Sequence, residues 1–122
     1  MKTSQLFRLT PMLLLAACGK VEPVPYDCLV WVNNYYIEHP VQSLSPTAAG
    51  WLFRGANDTN GQLTIGFMAP RPMSDDAAER RAILNMVCPR SFEKIWQMLP
   101  SENKLVIKVW TSNKKFKDSF KC

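Results

Sequence analysis

Asn60-Gly61-Gln62-Leu63-Thr64-Ile65-Gly66-Phe67-Met68 spells out a turn followed by a strand. Asparagine and glycine both tolerate positive φ, so Asn60-Gly61 is a reversal signal of the hairpin kind. After it, Leu63, Ile65 and Phe67 alternate with Gln62, Thr64 and Gly66, the two-residue period of a strand with one buried face. Trp51 to Arg54 precedes the turn segment Gly55 to Gly61 and supplies the partner, so a β-hairpin is expected over about residues 50–68.

Outward from the hairpin, Ala69-Pro70-Arg71-Pro72 ends the strand. Ser74 is placed to cap a helix whose first turn carries Asp75 and Asp76, negative charge at the positive end of the dipole. That helix is expected over about 75–88, with Ile83, Leu84, Val87 and Cys88 as its apolar stripe, and it stops before Pro89. Ser91 can cap a second, shorter helix over about 91–99, with Phe92, Ile95, Trp96 and Leu99 as its apolar residues and Pro100 as its stop. Leu105-Val106-Ile107-Lys108-Val109-Trp110 is the clearest strand, expected over about 104–111 with Leu105, Ile107 and Val109 on one face. Ser112-Asn113 turns, and Lys115 to Lys121 suits a short edge strand whose lysines discourage edge-to-edge pairing. On the N-terminal side, Cys28 to Ile37 fits two readings equally. Its β-branched and aromatic residues suit a strand, whereas Asp27 as a cap and the spacing of Leu29, Val32 and Tyr36 suit a helix. Residues 40–49, with Pro40 and Pro46, read as loop. Helices grouped between strands predict an α+β domain, with a small antiparallel sheet and both helices on one face.

The first seventeen residues read differently. Lys2 and Arg8 precede the short apolar run Met12 to Ala17, too brief for the ~20 residues a spanning helix needs. Leu15-Ala16-Ala17-Cys18-Gly19 resembles the lipobox of bacterial lipoproteins. The resemblance covers only the start of the chain, and Pro11 just before the apolar run departs slightly from the usual pattern. It implies removal of a signal peptide (residues 1–17), lipid on Cys18, and attachment to a membrane through that lipid. Two or more acyl chains make such an anchor stable. Gly19, where an aspartate tends to retain lipoproteins at the inner membrane, implies export to the outer membrane with a periplasm-facing domain. Residues 18–26, with Pro23 and Pro25, are expected as a short extended tether, and residues 27–122 as one globular domain.

Without Lys2 and Arg8 the formal charge falls from +5 to +3, and the excess lies late in the chain. Lys114, Lys115, Lys117 and Lys121, near Trp110, Phe116 and Phe120, are candidates to contact an anionic partner such as lipid headgroups, lipopolysaccharide or an acidic protein. A solvated edge explains the same lysines without a partner. Nucleic acid is not an expected partner at that address. With Cys18 lipidated, Cys28, Cys88 and Cys122 allow one disulfide and one odd thiol in a compartment that permits disulfides. Cys88–Cys122 would pin the C-terminal region to the end of a helix and is the expected bridge. Cys28–Cys122 is the alternative, and three reduced buried thiols the other.

No catalytic constellation is visible. His39, the only histidine, sits beside Glu38 and Pro40 in polar sequence, and no serine lies in a Gly-x-Ser-x-Gly elbow. The cysteines lack the close pairing of a zinc site. Asp75-Asp76 is explained by a helix start, and the glycines form no phosphate-binding loop. Neither metal, cofactor nor enzyme activity is expected. The anchor that the resemblance implies, the short tether, the compact domain and the absence of a catalytic constellation suit a non-enzymatic accessory component that docks a protein partner in an envelope assembly, for example of secretion or conjugation. The alternative is an envelope-anchored inhibitor or ligand-binding module, although the positive charge argues against basic lysozymes as its target.

Overall fold

A computed structural model describes residues 21–122. The expected signal peptide and Cys18 lie outside the described residues. Helix α1 spans Tyr26–Glu38. Its buried residues are Cys28, Val32, Tyr35 and Tyr36, spaced as one helical face. This settles the ambiguous segment as helix, because the core lies on one side of it and a strand would have buried every second residue. Pro25 rather than Asp27 holds the N-cap position, and Asp27 lies in the first turn. The expected loop contains a single turn of helix, α2 (Val41–Leu44), and a 3₁₀ turn (Pro46–Ala48).

Strands β1 (Leu52–Thr59) and β2 (Gln62–Ala69) form the hairpin. The turn is tighter than expected: only Asn60 (φ 53°) and Gly61 (φ 85°) lie outside the strands, and residues 55–59 extend β1. The register shifts between Phe53 and Gly55, leaving Arg54 as the extra residue of a bulge, with Gly55 at φ 102°. Helix α3 is Ala77–Val87. Its cap is Asp76, whose Oδ2 accepts from the Glu79 N–H at 3.1 Å. The expected cap, Ser74, instead accepts from the Asp76 N–H at 3.1 Å, two residues too early to start the helix. The second expected helix shrinks to α4, Ile95–Met98. Phe92 is 79% exposed, so the apolar stripe expected from residue 92 has nothing to pack against at its first position. Trp96 Nε1–H donates to the Arg90 carbonyl at 2.9 Å, fixing the preceding segment as turns.

Strands β3 (Leu105–Thr111) and β4 (Lys117–Lys121) complete a four-stranded sheet in the order β1-β2-β3-β4. The α+β class stands, but the sheet is mixed, not antiparallel: β2 and β3 run parallel from Leu63↔Leu105 to Ala69↔Thr111. The helical segment between them returns the chain to the end where β2 began, as a crossover between parallel strands requires. The outer pairs are antiparallel.

The core forms between one sheet face and the helices. Leu63, Ile65, Phe67, Leu105, Ile107 and Val109 are buried there with Val32, Tyr36, Leu84, Val87 and Ile95. Tyr36 packs edge-on to Phe67 (ring centroids 5.3 Å), and its hydroxyl donates to the Val87 carbonyl at 2.7 Å, tying α1 to the end of α3. Cys88 and Cys122 form a disulfide, joining the end of α3 to the residue after β4. Arg80 Nε meets Asp118 Oδ2 at 3.2 Å, a second link between α3 and β4.

The stretch expected as a tether is docked over its described part. Val24 is buried and its N–H donates to Asp58 Oδ2 at 3.3 Å. Asn103 is fully buried, and its Nδ2 donates to the Glu22 and Gly61 carbonyls, both at 2.7 Å. One side chain thus clasps the incoming chain to the hairpin turn at one end of the sheet.

Candidate functional site

Strand register divides the sheet into two faces. The second face carries Leu52, Arg54, Asn57 and Thr59 from β1, and Gln62, Thr64, Gly66 and Met68 from β2. Val106, Lys108 and Trp110 come from β3, and Lys117, Ser119 and Lys121 from β4. The core cluster of helices and sheet includes none of Leu52, Met68, Val106 or Trp110. Among the described residues, therefore, the helices cover only the opposite face.

Charge is segregated between the faces. Arg54, Lys108, Lys117 and Lys121 are exposed on the open face, and none of its strand positions is acidic. The strand acids, Asp58 and Asp118, point the other way. Asp58 accepts from the Val24 and Gly61 N–H groups, and Asp118 pairs with Arg80. The alternation of β4 produces this sorting, with Lys117, Ser119 and Lys121 outward and Asp118 and Phe120 inward.

Trp110 stands in the end row of the face with Leu52, Met68 and Lys117, and its ring reaches over Gly66. A Cβ built on Gly66 would fall 2.7 Å from Trp110 Cη2, 2.9 Å from Cζ3 and 3.8 Å from Arg54 Cβ. The missing side chain lets the six-membered ring of the indole close on the β2 backbone at Gly66, beside the bulge that carries Arg54. Next to it, Lys108, Val109, Trp110, Lys114, Lys117, Asp118 and Ser119 line an open concavity at the β4 edge, where Asp118 is paired with Arg80. Thr64 is buried on the same face, between Asn57 and Val106, and its Oγ1 has no hydrogen-bond partner among the described residues.

The lysines singled out from sequence are divided by the fold. Lys117 and Lys121 stand on the open face. Lys114 and Lys115 occupy the β3–β4 turn, where Lys114 takes φ 60° and the Lys115 N–H donates to Asn113 Oδ1 at 2.9 Å. Lys108, one of the six lysines after Pro100, joins the face through its parity on β3, and Arg54 joins it through pairing across the sheet, which sequence reasoning missed. The parity of Lys108 relative to Ile107 and Val109 was a signal for its outward direction. Arg54 gave no such signal, because its direction depends on the bulge.

The other candidate groups are accounted for by structure. Cys28 is buried, and burial, with help from the nearby Asp27 carboxylate, raises its thiol pKa, which suppresses the reactive thiolate. His39 is exposed at the end of α1, with its ring stacked on Tyr35 at 4.6 Å. Tyr35 stacks in turn on Trp31 at 5.0 Å, a ladder at helical spacing. Asp76 is a helix cap. Among the described residues no cluster of three His, Cys, Asp or Glu side chains could hold a metal ion, and no helix is long and apolar enough to cross a membrane.

No protein-family model, curated protein or solved structure matches this chain. The functional reading therefore rests on its own residues.

Proposed function

We propose that the chain is a bacterial lipoprotein anchored at the outer membrane through lipid on Cys18, and that its domain is a non-enzymatic docking component of a cell-envelope assembly. The observation that carries this reading is the sequence Leu15-Ala16-Ala17-Cys18-Gly19 behind a charged start and a short apolar run. The described domain supports it in three ways. Glu22 and Val24, close behind Cys18 in sequence, are held against the sheet end, the domain is braced by a disulfide, and among the described residues one charged sheet face has no covering element. Docking needs a persistent surface, and a rigid sheet face supplies one.

The test is purification from a mild-detergent membrane extract, with co-purifying proteins identified by mass spectrometry and Cys18→Ser as control. The expected result is membrane association of the wild type and a reproducible set of envelope partners, both lost in the variant. Recovery of the wild type alone would refute the assembly role, and an unmodified Cys18 in the intact mass would refute the anchor.

A further inference from the structure

We propose that the open face of the sheet, which carries Trp110, Arg54, Lys108, Lys117 and Lys121, is a docking surface for the anionic headgroups of the membrane on which the protein sits. The inference rests on the anchored reading above and adds an orientation to it.

Three observations lead to the membrane as the occupant. The first is charge: four cations and no acid on one face, with both strand acids turned inward. Such a face is attracted to a negatively charged leaflet, each lysine or arginine near the surface raising partition by roughly fivefold. The second is position. Val21 packs at Gly61, and Glu22 is held by Asn103, so the chain enters at the sheet end that also carries the Asn60-Gly61 turn and Lys121. Three residues from Cys18 to Val21 can span no more than about 11 Å. A lipid on Cys18 would thus keep that end of the face beside the headgroups. The third is shape. The cations are spread along strands of roughly 20 Å on a twisted sheet, around an open concavity and not a closed pocket, with an aromatic ring and the 52% exposed Leu52 among them. A fluid surface of headgroups matches dispersed cations on flexible stems, whereas a folded partner is better held by a recessed anchor pocket. With lipid at one end and cations along its length, the sheet lies down on the leaflet and directs α1 and α3 away from it.

Lysine acetylation on the purified full-length lipidated protein tests this. The protein is reconstituted in vesicles of phosphatidylcholine alone or of phosphatidylcholine with phosphatidylglycerol, at low and high salt, and modification is read by mass spectrometry. Lys108, Lys117 and Lys121 are expected to react at least fivefold more slowly on the anionic vesicles, with the difference lost at high salt. Lys94, exposed beside α4, is expected to react equally on both. In the Lys108→Gln/Lys117→Gln double variant, which alters only exposed side chains, the protection of Lys121 is expected to fall sharply. Equal rates on the two vesicle types would overturn the proposal. So would protection that appears only on adding an acidic polypeptide such as polyglutamate, which would assign the face to an acidic protein. Intact mass reports the lipid on Cys18 separately, so a failed anchor and a failed docking face give different results.

Discussion

Breaking the Cys88–Cys122 bridge, by the double substitution Cys88→Ser/Cys122→Ser, should remove a large part of the stability of this domain. The bridge closes a loop with a sequence separation of 34, which contains α4, β3 and β4. In the chain-entropy description, cross-linking a loop of that length removes about 3.8 kcal/mol of conformational freedom from the unfolded chain. Local structure compensates little. Strand β4 pairs with β3 on one side only, presents Lys117, Ser119 and Lys121 to solvent, and reaches the core mainly through the half-buried Phe116 and Phe120. Cys88 itself is buried, so a serine there adds a desolvation cost. At ~4 °C per kcal/mol for a domain of this size, Tm should fall by roughly 15 °C. Urea unfolding followed by tryptophan emission is the assay, on a Cys18→Ser/Cys28→Ala background so that no thiol can exchange. The midpoint should fall and the m-value rise, because the unlinked unfolded chain exposes more surface. A loss below ~1 kcal/mol with unchanged m would refute the reasoning. It would mean that β4 is held by pairing and by Arg80–Asp118, and that the unfolded chain is not constrained by the bridge.

Three further outcomes follow from particular contacts. Gly66→Ala drives a methyl into the Trp110 ring, and should cost about 1–3 kcal/mol while shifting tryptophan emission as the indole is displaced; unchanged emission would mean the ring does not lie on β2. Tyr36→Phe leaves the buried Val87 carbonyl without its donor and should cost about 1–2 kcal/mol by denaturant titration. Burial, and to a lesser degree Tyr35, raises the Tyr36 pKa well above its ordinary value of 10.0, so the fold keeps the proton that the unfolded chain releases. The contribution of Tyr36 is then fully present below pH 10 and declines as pH rises from there, and Tyr36→Phe should flatten that alkaline decline. Asn103→Ala removes both donors to Glu22 and Gly61, and should make the chain around residues 21–25 cleavable by protease in the folded protein, at a global cost of about 2 kcal/mol.

Much of the fold was legible because local chemistry and the final packing agree. Asn60-Gly61 adopts the positive φ angles that its residues favour, and Leu105, Ile107 and Val109 bury together as their alternation requires. Cys28 to Ile37 was ambiguous because its composition favours a strand while its buried positions follow a helix, and only the neighbouring sheet decides between them. The parallel pairing of β2 with β3 was not legible. It depends on where the chain from 70 to 104 delivers Leu105, a path set by tertiary packing of two short helices with weak stripes. The candidate site was half visible. Lys117 and Lys121 stood out as charge, but a face is a property of register, and the register joins them to Lys108 and, through a bulge, to Arg54.

The Asn103 clasp has a consequence for reach. On the anchored reading proposed above, the three residues from Cys18 to Val21 give a reach of no more than about 11 Å while Val21 packs at Gly61 and the Asn103 amide holds Glu22. Releasing residues 21–25 would add five residues of stalk, roughly 17 Å at full extension, without disturbing the sheet or the disulfide. On that reading a single buried side chain sets the radius within which the domain searches from its proposed anchor. A pull on the N-terminal segment would meet two hydrogen bonds at the end of the sheet before it loaded α1.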